Sequence, residues 1–537
     1  MKWLERPREM GLAIFAIWLA LTLLALLGRH ATTIDETRYL SAAWEMWQRG
    51  DLLVPYLNGE PYPHKPPLFF WLIHLSWALF GVSEWAARLV PALAGLAGAL
   101  LAMPLAVRLW PGKPRLATLS AWMLFSTGFW LLWTTAVMFD LLVAVCAEIA
   151  LLGVLVAWRE ARWGGWLLAG FGIGLGILAK GPVIFLYVLP VALLAPVWMV
   201  EQRPGSWLRW YGGVFGALLL GAVIGLSWAL PAAIAGGEHY ANRILWGQTA
   251  GRVVDSFAHQ RPFWWYLPLL LPLLYPWSLW PPLWCGVRVR LSAGWESGER
   301  FSLLIFAVGL GSFSLVSGKQ THYLLPLFPF LALCAARALE ETEARYPGFR
   351  LLALPLAPPI GLGLLLLALP HIPGAGEQAA WVARLSPLGG SLILLAAGVS
   401  LLLARRFPPT LWPGLVSVLL LAASVPGILR EVARNYEVDA VGQLIGEAQQ
   451  AGHSVAVFGK YHGEFNFAGR LTRPVEEIER DGFETWKGRH PDGLLVLRSD
   501  SPPRGDTGVR YWQPYRKRYL VLRDALSWRP GDDSPKL

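Results

Sequence analysis

Long apolar stretches separated by short polar ones run through most of the chain. Runs of spanning length fall at roughly 10–28, 85–107, 116–136, 138–157, 164–179, 182–200, 208–235, 263–285, 301–317, 320–338, 350–370, 387–404 and 410–428. Each approaches the ~20 residues a helix needs to cross a bilayer, so the pattern predicts an all-α polytopic membrane protein with about thirteen spans. One further run, Pro67 to Phe80, is too short for a span. If it crossed, the basic loop Arg108–Lys113–Arg115 would lie outside, and Asp140 would be carried away from the face that holds Asp35. If it lies flat or re-enters, the groups Arg108/Lys113/Arg115, Arg159/Arg162, Arg203/Arg209, Arg288/Arg290/Arg300, Arg337/Arg345/Arg350 and Arg405/Arg406 all share the side of the N-terminus. That is the cytoplasmic side by the positive-inside bias, and it is the arrangement adopted here. The opposite face then receives the loop 31–82, Asp140, Lys180, the loop 236–262, the turn from Gly318 to His322 and the C-terminus.

After Pro426 the pattern changes. Charged residues become frequent, and short runs of β character at Ser454–Phe458, Gly493–Arg498 and Tyr519–Arg523 follow a polar helical stretch from Asp439 to Ala451. The expected division is a transmembrane domain over 1–429 and a small soluble α/β domain over 430–537, frayed from Trp528 to Leu537. Lys2, Arg6 and Arg8 flank the first apolar run, and no small-residue cleavage site follows it. It reads as a retained span.

Composition agrees with the membrane reading: of 537 residues, 55% are hydrophobic, 15% charged and 30 are Trp. The net charge of +10 resides in the short loops and forms no basic stripe interleaved with aromatics outside the membrane, which excludes nucleic acid as a partner. Cys146, Cys285 and Cys334 sit in or beside apolar runs without CxxC spacing, as packing residues do.

Chemistry concentrates in the segment Thr32–Trp71, where Asp35, Glu36, Arg38, His64 and Lys65 lie between two apolar segments. Charge beside a bilayer is costly unless it faces water, protein or substrate. Adjacent carboxylates such as Asp35 and Glu36 can hold a divalent cation, or one can serve as a base that the other orients. They can equally form a solvated helix start. Asp140, at a span junction on the same face, adds a third carboxylate. In His64-Lys65-Pro66-Pro67 the prolines stiffen the backbone around an ammonium suited to a lipid-linked phosphate, or to anchoring the next helix. Arg261, Lys319 and His322 add cationic or protonatable groups on that face. Arg38, Tyr39, His64, Lys180, His322 and Tyr323 form a second tier. Glu148, two turns below Asp140, is expected to be neutral and hydrogen-bonded to a neighbouring helix.

The series DETRY, EM, GD and a Tyr-x-x-Lys-Pro end to the first loop resembles the bacterial branch of the protein O-mannosyltransferase superfamily, most closely the aminoarabinose transferases that modify lipid A phosphates. The likeness continues through AVMFD, LAKG, GQTAGRVVDSFAHQRPFWWY and SGKQTHYLLP. It implies a C-type glycosyltransferase fold of thirteen spans, with surface helices in the first outer loop and a periplasmic C-terminal domain. It also implies transfer of a sugar from a polyprenyl-phosphate donor with inversion. Carried over by position, Asp35 is the essential carboxylate, Asp140 the second acidic position, Tyr62 and Lys65 the holders of the donor phosphate, and Arg261 the arginine of a later loop. Where the aminoarabinose enzymes carry Glu before this lysine, the chain has His64.

The expected protein is therefore an inner-membrane glycosyltransferase working at the periplasmic face. Asp35, Asp140 and Glu36 would be its catalytic carboxylates. Lys65, Tyr62, Arg261 and Lys319 would bind the donor phosphate, beside an aromatic path of Phe263, Trp264, Trp265 and Trp277 for the prenyl chain. The acceptor would be a lipid, a glycan or a protein, and the working unit a monomer. A divalent metal among Asp35, Glu36, Asp140 and His64 is compatible with the chemistry without being required by it. A transporter would instead place polar binding residues near the midplane, between broken helices.

Overall fold

The structure is a computed structural model that describes residues 6–247, 260–342, 353–372, 387–503 and 507–528. The expected loop residues 248–259, the basic residues Arg345 and Arg350 and the tail 529–537 lie outside them. Nine helices among the described residues are long and apolar enough to cross a membrane. Other expected passes are built from shorter pieces. The run 116–136 becomes α5 (Pro114–Phe125) and α6 (Gly128–Trp133), and the run 263–285 is divided between Tyr266–Leu273 and Pro281–Ala293.

After α1 (Pro7–Gly28), the chain forms α2 (Asp35–Arg49), a short hairpin of β1 (Tyr56–Leu57) and β2 (Glu60–Pro61), and α3 (Leu68–Phe80) before entering α4 (Glu84–Leu109). At ~1.5 Å per residue, the 13 residues of α3 reach only about 20 Å, short of the ~30 Å hydrocarbon core. Its Phe69, Phe70, Ile73 and Trp77 are buried, and its His74 Nε2 lies 2.8 Å from the Ala43 carbonyl of α2. Leu75, Leu79 and Phe80 remain exposed. The run Pro67–Phe80 therefore packs beside α2 as a surface helix. Gly50, with φ of 66°, ends α2 by returning its N–H to the carbonyls of Met46 and Trp47.

The basic ends of the spans meet at the opposite end of the bundle. Arg159 donates to the carbonyls of Arg108 and Leu109, Lys113 pairs with Glu340 at 3.0 Å, and Arg337 pairs with Glu296 at 2.7 Å.

The C-terminal region contains a five-stranded sheet of order β4-β3-β5-β7-β6. Its strands are β3 (Val455–Phe458), β4 (Glu476–Ile478), β5 (Leu494–Ser499), β6 (Val509–Tyr515) and β7 (Arg518–Asp524). β3 runs parallel to β4 and β5, while β7 is antiparallel to β5 and β6. Alternation decides which face each residue serves. Val455, Val457, Leu494 and Val496 pack on the helix Asp439–Gln450, whereas Ala456, Leu495 and Leu497 pack with Phe483 and Trp486 on the other side.

This region grips α2. Ser41 Oγ donates to the Gly463 carbonyl at 2.6 Å, Trp44 to Leu471 O at 3.0 Å, and Asn466 Nδ2 to Glu45 at 2.7 Å. Asn58 exchanges two hydrogen bonds with the Val475 backbone.

Candidate active site

The register of α7 (Asp140–Glu160) against α8 (Trp163–Lys180) brings together two residues forty positions apart. Small residues let these antiparallel helices approach backbone to backbone. A Cβ on Gly153 would fall 2.3 Å from Ala169 N, and one on Gly165 would fall 2.4 Å from Ala157 N. The first residue of α7 consequently faces the last residue of α8, and Lys180 Nζ lies 2.5 Å from Asp140 Oδ1. His322 Nε2 lies 3.9 Å from the other oxygen of Asp140, and Lys180 also rests 4.8 Å from the ring centroid of Tyr323. Asp140 is 2% exposed. It is a buried carboxylate ion-paired with Lys180.

The first outer loop supplies the second half. Asp35 opens α2, pairs with Arg38 one turn on, and keeps 41% of its side chain exposed. Glu36 behaves differently. Arg29 reaches it with two nitrogens at 2.8 and 3.2 Å, Thr32 donates through its N–H and hydroxyl, and Val137 N–H donates at 2.8 Å. Burial alone would raise its pKa, but Arg29, Arg88 and the Thr32 hydroxyl outweigh it and bring the carboxyl down to about 2. Glu36 thus locks α2 to the end of α1 and to the segment before α7. Both oxygens of Glu36 are already engaged by protein donors, whereas among the described residues those of Asp35 meet only Arg38.

A cavity of about 540 Å³ opens above these groups. Asp35, Arg261, Lys319, Thr321 and His322 line it, together with Trp133 and Trp265. The segments carrying its cations are fastened to each other. Gln260 bridges Gly318, Arg261 N–H donates to Ser317 O at 3.2 Å, and Lys319 Nζ donates to Arg261 O at 3.0 Å. Tyr266 OH completes the clasp on Gln320 O.

Lys65 and Tyr62 do not line this cavity; the Lys65 ammonium lies 5.5 Å from the Tyr39 ring centroid and 5.2 Å from that of Phe139. Its charge, with those of Asp35, Asp140 and Lys180, acts on His322, so the two halves share one electrostatic environment. Tyr62 stacks edge-on with His64 at 5.2 Å, and its hydroxyl acts electrostatically on both Arg38 and Tyr39. Burial, then the charge of Asp35, holds the Tyr39 phenol well above its ordinary pKa and therefore neutral.

Other expectations change. Asp35, Glu36, Asp140 and His64 do not bring three donor atoms to one point. Glu148 is fully buried, yet neither oxygen has a hydrogen-bond partner among the described residues. It lies against the bare face of Gly98, alongside Trp130, whose N–H is already given to Gly95 O. Trp277 is buried and donates to Met123 O, while Phe263 and Trp264 remain exposed at 71% and 51%. An outer aromatic surface therefore belongs to the last two. Arg29 and Arg88 stand outside the residues expected from sequence. Arg88 donates to the carbonyls of Ala25, Arg29 and Thr135 and so organises the base of the cavity. The only trace of either in the sequence is an arginine at the polar edge of an apolar run.

Residues 64–231 match the family described as dolichyl-phosphate-mannose-protein mannosyltransferase. An undecaprenyl phosphate-alpha-4-amino-4-deoxy-L-arabinose arabinosyl transferase of Pseudomonas fluorescens is 30% identical over 478 residues, spanning 87% of this chain and 84% of that protein. The enzyme of the same name from Pectobacterium carotovorum subsp. carotovorum is 29% identical, over 91% and 92% of the two chains. The crystal structure of ArnT from Cupriavidus metallidurans bound to undecaprenyl phosphate superposes with a TM-score of 0.73 at 21% identity, covering 98% of this chain and 99% of that one.

Proposed function

From the premise that the chain belongs to the family of undecaprenyl phosphate-alpha-4-amino-4-deoxy-L-arabinose arabinosyl transferases, we propose that it moves 4-amino-4-deoxy-L-arabinose from undecaprenyl phosphate to a phosphate of lipid A or a related surface glycolipid. It is a multi-pass inner-membrane glycosyltransferase, and the reading places its reaction at the periplasmic face. The observation that carries the reading is the cavity itself. Its most exposed carboxylate, Asp35, shares one lining with Arg261, Lys319 and His322.

The bond between the sugar's anomeric carbon and the donor phosphate oxygen breaks, and the acceptor oxygen forms the new bond from the opposite face. The departing undecaprenyl phosphate gains negative charge. Arg261 and Lys319 from the clasp, and Lys65 from the first loop, are preorganised to stabilise it without moving. Asp140 takes no part in bond making; it holds Lys180 and His322 in place. Asp35 faces the sugar and its acceptor. A phosphate acceptor is already anionic and needs positioning, which Asp35 would supply through the Arg38 it holds and the sugar it faces, whereas a hydroxyl acceptor would use Asp35 as base. The exposed Phe263 and Trp264 offer the prenyl chain an apolar surface next to Arg261.

The reading is tested by mass spectrometry of lipid A and surface glycans from cells with and without the gene. Loss of an aminoarabinose-sized increment on lipid A supports it. Unchanged lipid A together with loss of a sugar from a surface protein would replace the acceptor.

A further inference from the structure

Three metal-ligating side chains meet at a point the transfer reaction does not use. His30 follows α1, Glu84 opens α4, and Asp439 opens the helix Asp439–Gln450 of the C-terminal region. One donor atom from each lies within 4.8 Å of the other two. His30 Nδ1 is 3.4 Å from Glu84 Oε2 and 3.9 Å from Asp439 Oδ2. The first is a long hydrogen bond and the second lies beyond hydrogen-bond distance, and both exceed the ~2.7–2.9 Å of a charge-assisted one. They come close instead to the edge of a tetrahedron of nitrogen and oxygen ligands ~2.0–2.2 Å from a zinc ion, which is about 3.4 Å.

The three donors are held by contacts independent of one another. Arg88 takes the other oxygen of Glu84 at 3.5 Å and is itself fixed by three backbone carbonyls. That leaves Oε2 turned toward His30, the kind of outer support that orients a metal ligand. Thr33 N–H donates to Tyr436 O at 3.2 Å and Tyr515 OH donates to Thr33 Oγ1 at 3.0 Å. These bonds fix the segment after His30 against the segment before Asp439. Val438 and Val441 are buried in the C-terminal core and set the start of that helix. The donor set, one imidazole and two carboxylates from three separate segments, suits a divalent cation of borderline softness with water in the remaining position.

We propose that His30, Glu84 and Asp439 bind a zinc-type divalent cation that clamps the C-terminal region to the membrane region beside the active-site cavity. The clamp lies one residue from Arg29 and two from Thr32, both of which line that cavity. It does not depend on which sugar or acceptor the enzyme uses.

The test uses the full-length protein purified in detergent, stripped with EDTA, reloaded with zinc and desalted. Elemental analysis should find about one zinc per chain in the wild type. His30→Ala and Asp439→Asn should each lose most of it, while His453→Ala, at a half-buried histidine elsewhere in the C-terminal region, should keep it. The zinc absorption edge of the wild type should report one nitrogen and two carboxylate ligands, and added zinc should raise the thermal midpoint of the wild type but not of Asp439→Asn. A wild type that retains no zinc after reloading overturns the proposal and leaves an ordinary ion-paired cluster. Equal zinc in the wild type, His30→Ala and Asp439→Asn overturns it as well, because the metal is then held elsewhere.

Discussion

Asp35 and Glu36 are neighbours in sequence and opposites in environment. Asp35 keeps 41% of its side chain exposed at the cavity, whereas Glu36 is enclosed by Arg29, Thr32 and Val137 N–H. Sequence alone could name the pair but could not divide the labour, because the residues that engage Glu36 lie 4, 7 and 101 positions away. Asp35→Asn keeps size and removes charge, so it should fold, bind donor and lose turnover by well over tenfold. Retention of more than a tenth of wild-type turnover, a barrier change below ~1.4 kcal/mol, would remove Asp35 from the centre of the mechanism. Lys65→Ala should weaken donor binding as well as rate, since its partner is the donor phosphate. A purely kcat effect with unchanged affinity for undecaprenyl phosphate would place that phosphate elsewhere. Glu36 gives a pH prediction of known sign. Its folded pKa of about 2 lies below the ordinary 4.5, so its ionised form stabilises the fold fully above pH 4.5. That contribution fades as pH falls from 4.5 toward 2. Glu36→Gln should lower the thermal midpoint at neutral pH, at a cost on the order of 3 kcal/mol for breaking a buried pair. It should also flatten the loss of stability between pH 4.5 and 2, read from thermal scans in detergent. An unchanged acid slope would mean that Glu36 does not clamp the loop.

At the scale of elements, α3 decides the sidedness of the site. Its length was legible as too short to cross, and the positive-inside pattern of the loops needed it to stay on one face. Its packing against α2 gives the physical reason. Cysteines placed one at a time at the exposed positions Glu60, Ser501 and Arg203, in a background without the three native cysteines, test this. Those at Glu60 and Ser501 should react with an impermeant thiol reagent in intact spheroplasts, and the one at Arg203 should not. Labelling at Arg203 with protection at Glu60 would invert the protein. The α7–α8 pair shows what sequence hides. Gly153 and Gly165 were part of an apolar run with nothing to mark them, yet their close approach sets the register that joins Asp140 to Lys180. The sequence therefore offered Lys180 and Asp140 as separate candidates on one face, with nothing to show that each is the other's partner. Strands β3, β5 and β7 were legible as short apolar runs of β character. β4 has only three residues and β6 includes Gln513 and Pro514, so neither stood out.

For the whole molecule, a charge pattern confined to loops was enough to gather the polar residues on one face, and the fold places Asp35, Arg261, Lys319 and His322 around one cavity there. What sequence could not supply was the clasp between Gln260–Arg261 and Ser317–Gln320, which forms only when two distant loops meet. A cavity that receives a lipid-linked phosphate requires a donor carried by the membrane and not by a nucleotide. The most direct measurement is sugar transfer by the purified protein with two alternative donors. The expected result is transfer from an undecaprenyl-phosphate sugar, inhibition by free undecaprenyl phosphate, and loss of that inhibition in Lys65→Ala. Transfer from a nucleotide sugar in lipid-free detergent, undisturbed by undecaprenyl phosphate, would contradict it even if the product were a glycolipid.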